Sequence, residues 1–212
     1  MIVERMARSD RAQAVVTLSR AFQDDPLLCF LVPDPVSRAR ALPTFMSSVL
    51  VDAAPFGEVW VARQGLTITS VAGWLPPGAY PRGRGRETTS VVRDLRSAHR
   101  LGRRALSGIR IYSAIDRVHS RVDEPHWYLA AVGTDPAWQG RGVGSALVAQ
   151  ILQRVDKDGM RAYLETTNSE NVPWYRRHGF EVVTEIHVPG CPKVWAMERR
   201  PPTNRLSDGV HL

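Results

Sequence analysis

The chain has little of what would fix it by covalent bonds, metals or membranes. Cysteine occurs twice, as Cys29 and Cys191, far apart and without a partner motif. That excludes a disulfide scaffold and is the pattern of free thiols in a reducing compartment, so a cytoplasmic location is expected. No Cys/His cluster has metal-ligand spacing, so no metal is expected. No apolar run approaches the roughly 20 residues needed to cross a bilayer, and the opening MIVERMARSD has no secretory apolar core. Lysine is almost missing: only Lys157 and Lys193 accompany a large set of arginines, and the net charge is +7. The densest basic tract, Arg82, Arg84 and Arg86 among glycines, has no interleaved aromatics on which bases would stack. It reads as a solvated loop, and no nucleic-acid partner is expected.

What is present is ordinary globular material. The 212 residues are 43% hydrophobic and 23% charged, which suits one soluble domain with a substantial core. Its organising stretch is WYLAAVGTDPAWQGRGVGSALVAQILQ, residues 127–153. An apolar run closes at Val132-Gly133-Thr134 and is stopped by Asp135-Pro136, because proline lacks the amide a strand needs. A turn rich in glycine follows, Gln139-Gly140-Arg141-Gly142-Val143-Gly144-Ser145. Leu147, Val148, Ile151, Leu152 and Val155 then recur at helical spacing.

Strand, glycine turn and helix in that order make an anion site. First-turn amides have no intrahelical partner, the helix dipole adds positive potential, and glycine lets the backbone approach phosphate oxygens closely. Arg141 offers charge-assisted contacts. The even spacing of Gly140, Gly142 and Gly144 fits neither G-x-G-x-x-G nor a Walker A loop.

Gln139, Gly142 and Gly144 instead fill the Q/R-x-x-G-x-G/A signature of the GNAT superfamily of N-acetyltransferases, which this stretch resembles. A second element, Asn171 to Phe180 (NVPWYRRHGF), resembles that family's N-x-x-x-Y-x-x-x-G-F pattern. Further blocks, AFQDDP at 21–26, EVWVA at 58–62, EPHWYL at 124–129 and LET at 164–166, are most similar to the puromycin N-acetyltransferase branch.

Local patterns lay out the rest. Residues 2–5 read as an edge strand and Asp10 as the N-cap of a helix reaching Phe22. Residues 27–32 form a short apolar piece, and 36–54 a helix that Pro43 should kink or restart. Residues 58–63 and 66–75 make a hairpin around Gly65, and 87–118 are helical in two pieces. The central strand 127–134, helix 142–158 and strand 161–166 form a right-handed parallel crossover. Asn171 should cap a short helix, and 180–188 with 193–199 a last hairpin. For these elements the resemblance implies the GNAT fold, α/β: a mixed, mostly antiparallel sheet of about seven strands with helices on both faces and one strand–helix–strand cofactor-binding crossover. It should form a single domain over 1–200, with a helical insert at about 85–120 on the substrate side and a loose tail at 201–212.

The resemblance implies a ternary-complex transfer of an acetyl group from acetyl-CoA to a primary amine of a small molecule, an antibiotic or a metabolite. It implies that Val132, Gly133 and Thr134 pair with the pantetheine arm, and that Gln139, Gly140, Arg141, Gly142, Val143, Gly144 and Ser145 hold the pyrophosphate. Asn171 or Asn168 meets the cofactor. Tyr175 matches the family's leaving-group acid, against the competing reading of a core tyrosine beside Trp174. For the base, Glu165 stands first and Asp24 or Asp25 second; His119, His126 and His178 sit in no constrained motif. Phe22, Asp25 and Trp74 are the expected substrate contacts. A monomer or a homodimer fits equally. Two alternatives remain: a cofactor-binding module without turnover, and an enzyme acting on protein amines.

Overall fold

The computed structural model describes residues 1–80 and 104–202. The arginine tract at 82–86, the first half of the helical insert and most of the tail lie outside the described residues.

Seven strands form one sheet in the order β1-β2-β3-β4-β5-β7-β6. They are β1 Ile2–Arg5, β2 Val59–Gln64, β3 Thr67–Leu75, β4 His126–Thr134, β5 Arg161–Thr166, β6 Glu181–Ile186 and β7 Val194–Arg199. Every neighbouring pair is antiparallel except β4 and β5. The parallel pair brackets the predicted crossover helix, now α5 Val143–Lys157. The other helices are α1 Arg11–Ala21, α2 Pro26–Leu31, α3 Pro35–Ala53, α4 Ala105–His119 and α6 Asn171–Arg177.

Two cores sandwich the sheet. On one face Leu147, Val148, Ile151, Leu152 and Val155 of α5 pack on Trp74, Trp127, Leu129, Ala162 and Leu164, with Tyr175 and Phe180 closing one end. On the other, Leu18 of α1 and Leu42, Met46 and Leu50 of α3 cover Val61, Ile68, Val71 and Leu75. A third cluster joins α2 and α4 to the last strands through Leu27, Leu31, Ile111, Ile186 and Val194. Arg154 of α5 reaches the buried Glu58 carboxylate at 2.9 Å, and Arg5 joins the same oxygen at 3.2 Å, tying β1 and α5 to the start of β2.

Several local expectations change. Residues 26–31 are a helix, because Asp25 caps it through Leu27 and Leu28 amides and Pro26 supplies a helix-ready φ at its first position. α3 runs unbroken through Pro43. Asp10 makes no cap bond to α1; its carboxylate accepts from the Ala7 amide and from Arg63 instead. Asn171 is the first helical residue of α6 rather than its cap, and is exposed. The preceding turn is made by Asn168, whose Oδ1 accepts from the Glu170 amide at 3.0 Å.

β4 contains a feature with no sequence marker. Gly73 pairs with Ala131 but Trp74 with Leu129, so Ala130 is the extra residue of a bulge. Before it, Trp127 and Leu129 face α5; after it, Gly133 faces α1, where a Cβ would lie 2.8 Å from Ala21 and 3.0 Å from Leu18.

Candidate active site

The site begins where the sheet comes apart. β4 and β5 pair only at His126↔Arg161, Trp127↔Ala162 and Tyr128↔Tyr163. β5 stays on β7 to Thr166 and β4 stays on β3 to Thr134, so the two strands splay. Residues 129–134 therefore have a strand on one edge and none on the other among the described residues. Backbone groups along such an edge pair with a strand, water or an extended ligand.

The glycine turn stands at the open end of that edge. Asp135 starts it, accepting from the Ala137 amide at 2.9 Å and from Arg20 at 3.0 Å. Gln139 donates its side-chain amide to the Thr134 carbonyl at 3.0 Å, folding the turn back onto β4. Gly140 and Gly142 hold φ of 72° and 75°, the left-handed region that side chains resist. Nothing lies within 4 Å of a Cβ at either, so the turn is open on that side. At Gly144 a Cβ would meet Thr134 Oγ1 at 2.8 Å, so only glycine lets α5 start this close to β4. The first-turn amides of Val143, Gly144 and Ser145 are those a helix leaves without internal partners. Arg141 lies over the Trp138 ring, 5.0 Å from its centroid. The turn thus fits the diphosphate of acetyl-CoA, and the open edge of β4 fits its amide-bearing arm.

The Ser145 side chain is engaged away from the turn. Trp174 donates its indole N–H to Ser145 Oγ at 3.0 Å, and His178 Nε2 lies 3.2 Å from the same oxygen. The hydroxyl therefore fastens α6 to α5, and only the backbone amide is left for an anion. Burial and the charges of Arg177 and Arg199 push the His178 imidazole below its ordinary value, so it is a neutral partner for that hydroxyl rather than a helix-end cation.

Tyr175 is buried in the cluster under α5, against Trp174 and Phe180. Burial, and then the negative charge of Asp25, hold its phenol well above the ordinary value of 10.0, so it keeps its proton. Asp25 stands before α2, close enough for its charge to act on the Tyr175 phenol. Asp25 accepts from Leu27, Leu28 and the Thr167 hydroxyl, and burial raises its carboxyl. Its oxygens are spent on capping α2 and on Thr167, which makes it a positioning group at the mouth rather than a free contact for substrate. Asp24 is exposed, 4.0 Å from Arg38.

Glu165 lies on the face of β5 opposite the α5 core, its side chain buried, with Oε1 3.3 Å from His119 Nδ1. Tyr163 on the same face is raised by burial and by the Glu165 carboxylate. The rings of Tyr80, Tyr128 and Tyr163 pack against the His119 ring. Phe22 of the expected substrate set packs beside Gly133. Trp74 does not line the cleft: it is wholly buried under α5, because the residue before it, Gly73, points to the other face. Tyr163, two residues before Glu165 on the same face of β5, is the site residue that spacing did not single out, whereas His119, one of the candidate bases, reaches Glu165 from the end of α4.

Comparison with known proteins agrees with this geometry. Residues 80–180 match the Acetyltransferase (GNAT) family. The likeness to that family extends over just under half of the chain. Among solved structures, a histone acetyltransferase HPA2 and related acetyltransferase from Corynebacterium glutamicum superposes with a TM-score of 0.64 at 22% identity, over 96% of this chain and 98% of its own. A Drosophila melanogaster polyamine N-acetyltransferase gives 0.63 at 17%, over 94% and 99%. At those identities the likeness is one of fold. An uncharacterized N-acetyltransferase of Schizosaccharomyces pombe is 33% identical over 66 residues, 31% of this chain and 27% of that protein. The chain spans about a quarter or less of the length of the curated relatives it matches. The chain therefore shares the fold of these structural neighbours, a seven-stranded mixed sheet flanked by helices. No described helix is long and apolar enough to cross a membrane.

Proposed function

We propose that the protein transfers an acetyl group from acetyl-CoA to a primary amine of a small molecule by direct attack in a ternary complex. The observation that carries this reading is the splay of β4 from β5 after Tyr128 and Tyr163, with the Gly140–Gly142 turn at the end of the freed edge.

Acetyl-CoA supplies an activated acyl carbon; the chain supplies position and protons. Residues 132–134 hold the arm by backbone pairing, and the amides from Gly142 to Ser145 with Arg141 hold the diphosphate. A backbone N–H on the same edge polarises the acyl oxygen. Tyr175, kept protonated by burial and by Asp25, gives its proton to the departing sulfur. Glu165 takes the proton that an ammonium must lose before it attacks. The buried Glu165 carboxylate favours a cationic amine, as does the likeness in fold to the Drosophila polyamine N-acetyltransferase. The puromycin-like sequence blocks favour an antibiotic or similar metabolite in the cytoplasm.

Calorimetry with acetyl-CoA, followed by thiol release over a panel of small amines including puromycin, tests the reading. Tyr175→Phe should leave acetyl-CoA affinity within about twofold and lower kcat by about 10²–10⁴. Absence of acetyl-CoA uptake, or an unchanged kcat in the variant, defeats it.

A further inference from the structure

Glu165 is the inner end of a buried chain of polar groups that the proposed reaction uses only at one point. The outer end is a backbone carbonyl: the oxygen of Glu124 lies 2.8 Å from His126 Nδ1. A carbonyl only accepts, so that nitrogen carries a hydrogen. His126 Nε2 lies 2.8 Å from His119 Nε2. Of these two nitrogens one must donate and the other accept. Burial lowers the His126 imidazole, favouring its neutral form, whose bare nitrogen is then Nε2. His119 consequently donates through Nε2. Its remaining nitrogen, Nδ1, faces Glu165 Oε1 at 3.3 Å, and neither atom has a hydrogen-bond partner among the described residues.

The proton count follows. With His119 neutral and Glu165 ionised, two lone pairs confront each other in a site shut off from water, an arrangement that a buried pair resists. Adding one proton removes the conflict, whether it rests on the carboxyl or on the imidazole. We propose that Glu165, His119 and His126 form a unit built to hold one shared proton, and that the Glu124 carbonyl sets it by fixing the tautomer of His126. This deepens the acetyl-transfer reading and rests on it. Glu165 is there the group that meets the amine, while His119 and His126 are positioning residues.

In the step itself R–NH3⁺ gives one proton to the Glu165–His119 pair, becoming R–NH2 with its lone pair free. The pair goes from none to one shared proton, and charge is conserved. A proton placed between Glu165 Oε1 and His119 Nδ1 gives both buried atoms the partner they lack. Other charged or titratable groups meet the unit from every side. Tyr80 stacks on His119 at 3.8 Å, and its hydroxyl donates to Asp116 on the same helix as His119. Tyr128 of β4 and Tyr163 of β5 abut the His119 ring. Glu198 of β7 acts on His126 and Tyr163 from further away and is itself paired with Arg161. None of these contributes a donor to His119 Nδ1 among the hydrogen bonds of the described residues.

Nitrogen-15 histidine spectra of the full chain, without any substrate, read the tautomers directly. His126 should be protonated at Nδ1 and bare at Nε2, and His119 protonated at Nε2. A His119 that is bare at Nε2 overturns the proposal outright. The second arm is the pH profile of kcat/KM for His126→Gln. The glutamine amide can donate to His119 Nε2, releasing Nδ1–H to satisfy the ionised carboxylate without an extra proton. The acidic limb should therefore move to lower pH by about one unit or more, with acetyl-CoA affinity unchanged by calorimetry. A limb that stays in place overturns the catalytic part. His119→Gln, should it fold poorly, is replaced in this arm by His119→Asn, and either must abolish the limb shift in combination with His126→Gln. Loss of acetyl-CoA uptake by the unaltered chain would instead sink the acetyl-transfer reading, while the spectra would still decide the proton count.

Discussion

Two tyrosines show how burial decides chemistry one side chain at a time. Tyr163 and Tyr175 are both buried, and both phenols are held above their ordinary value of 10.0, first by burial and then by a carboxylate, Glu165 for one and Asp25 for the other. For Tyr175 this keeps the proton that the proposed reaction gives to the thiolate. It also carries a stability consequence. Above pH 10 the unfolded chain releases these protons while the folded chain retains them, so the unfolded state binds fewer and stability falls as pH rises. Each tyrosine should cost about 1.4 kcal/mol per pH unit there. Denaturant melts between pH 9 and 11 on the unaltered chain, Tyr163→Phe and Tyr175→Phe check it. Each variant should flatten the decline, and equal slopes in all three would refute the assignment. Tyr175 could be picked from sequence because Asn171, Gly179 and Phe180 stand in register with it. Tyr163 could not, since a tyrosine in an apolar strand carries no mark of the carboxylate two residues on.

At the scale of elements, pattern read well where one face of a helix or strand is buried, and poorly where an end or an irregularity matters. α5 and β5 came out within a residue because Leu147, Ile151 and Val155, or Ala162 and Leu164, keep strict periodicity against one core. α2 was too short for periodicity, and its cap, Asp25, looked like a binding carboxylate until its bonds to Leu27 and Leu28 were seen. The bulge at Ala130 was illegible because HWYLAAVGT is apolar on both sides of it, so a change of face leaves no polar residue out of place. That bulge turns Gly133 onto α1, and Gly133→Ala tests it. The new methyl would press on Ala21, Leu18 and Phe22 at 2.8, 3.0 and 3.2 Å. Overpacking of this kind costs about 1–3 kcal/mol, which in a chain of this length lowers Tm by roughly 2–12 °C. Without the bulge residue 133 would face α5, away from α1, and the same alanine would leave the α1 contacts untouched. A thermal melt with no shift would contradict the pairing of β3 with β4 on either side of Ala130.

Across the whole molecule the sheet is two pieces held by one short seam. β1 to β4 form one side and β5 to β7 the other, and only the three residue pairs at the start of β4 and β5 join them strand to strand. Motif order foretold one parallel pair in the sheet, because strand, glycine turn, helix and strand in succession imply a parallel crossover. It did not foretell how soon the crossover strands part, which depends on the Ala130 bulge and on β5 following β7 instead. An unpaired edge inside a fold is a place of low local stability. Acetyl-CoA seated along it should therefore act as a missing strand, protecting amides that nothing covers in its absence. At a concentration a hundredfold above Kd the ligand adds about 2.7 kcal/mol, a rise in Tm of about 5–11 °C for a chain of this size. Hydrogen exchange should place the new protection in residues 129–134 and in the turn from Gly140 to Ser145, with little change in β1 or β2. Free coenzyme A should protect the same amides, since the acetyl group adds no backbone contact, whereas inorganic pyrophosphate should protect the turn alone. Protection spread evenly over the sheet would mean that the ligand stabilises the fold without occupying the gap between β4 and β5.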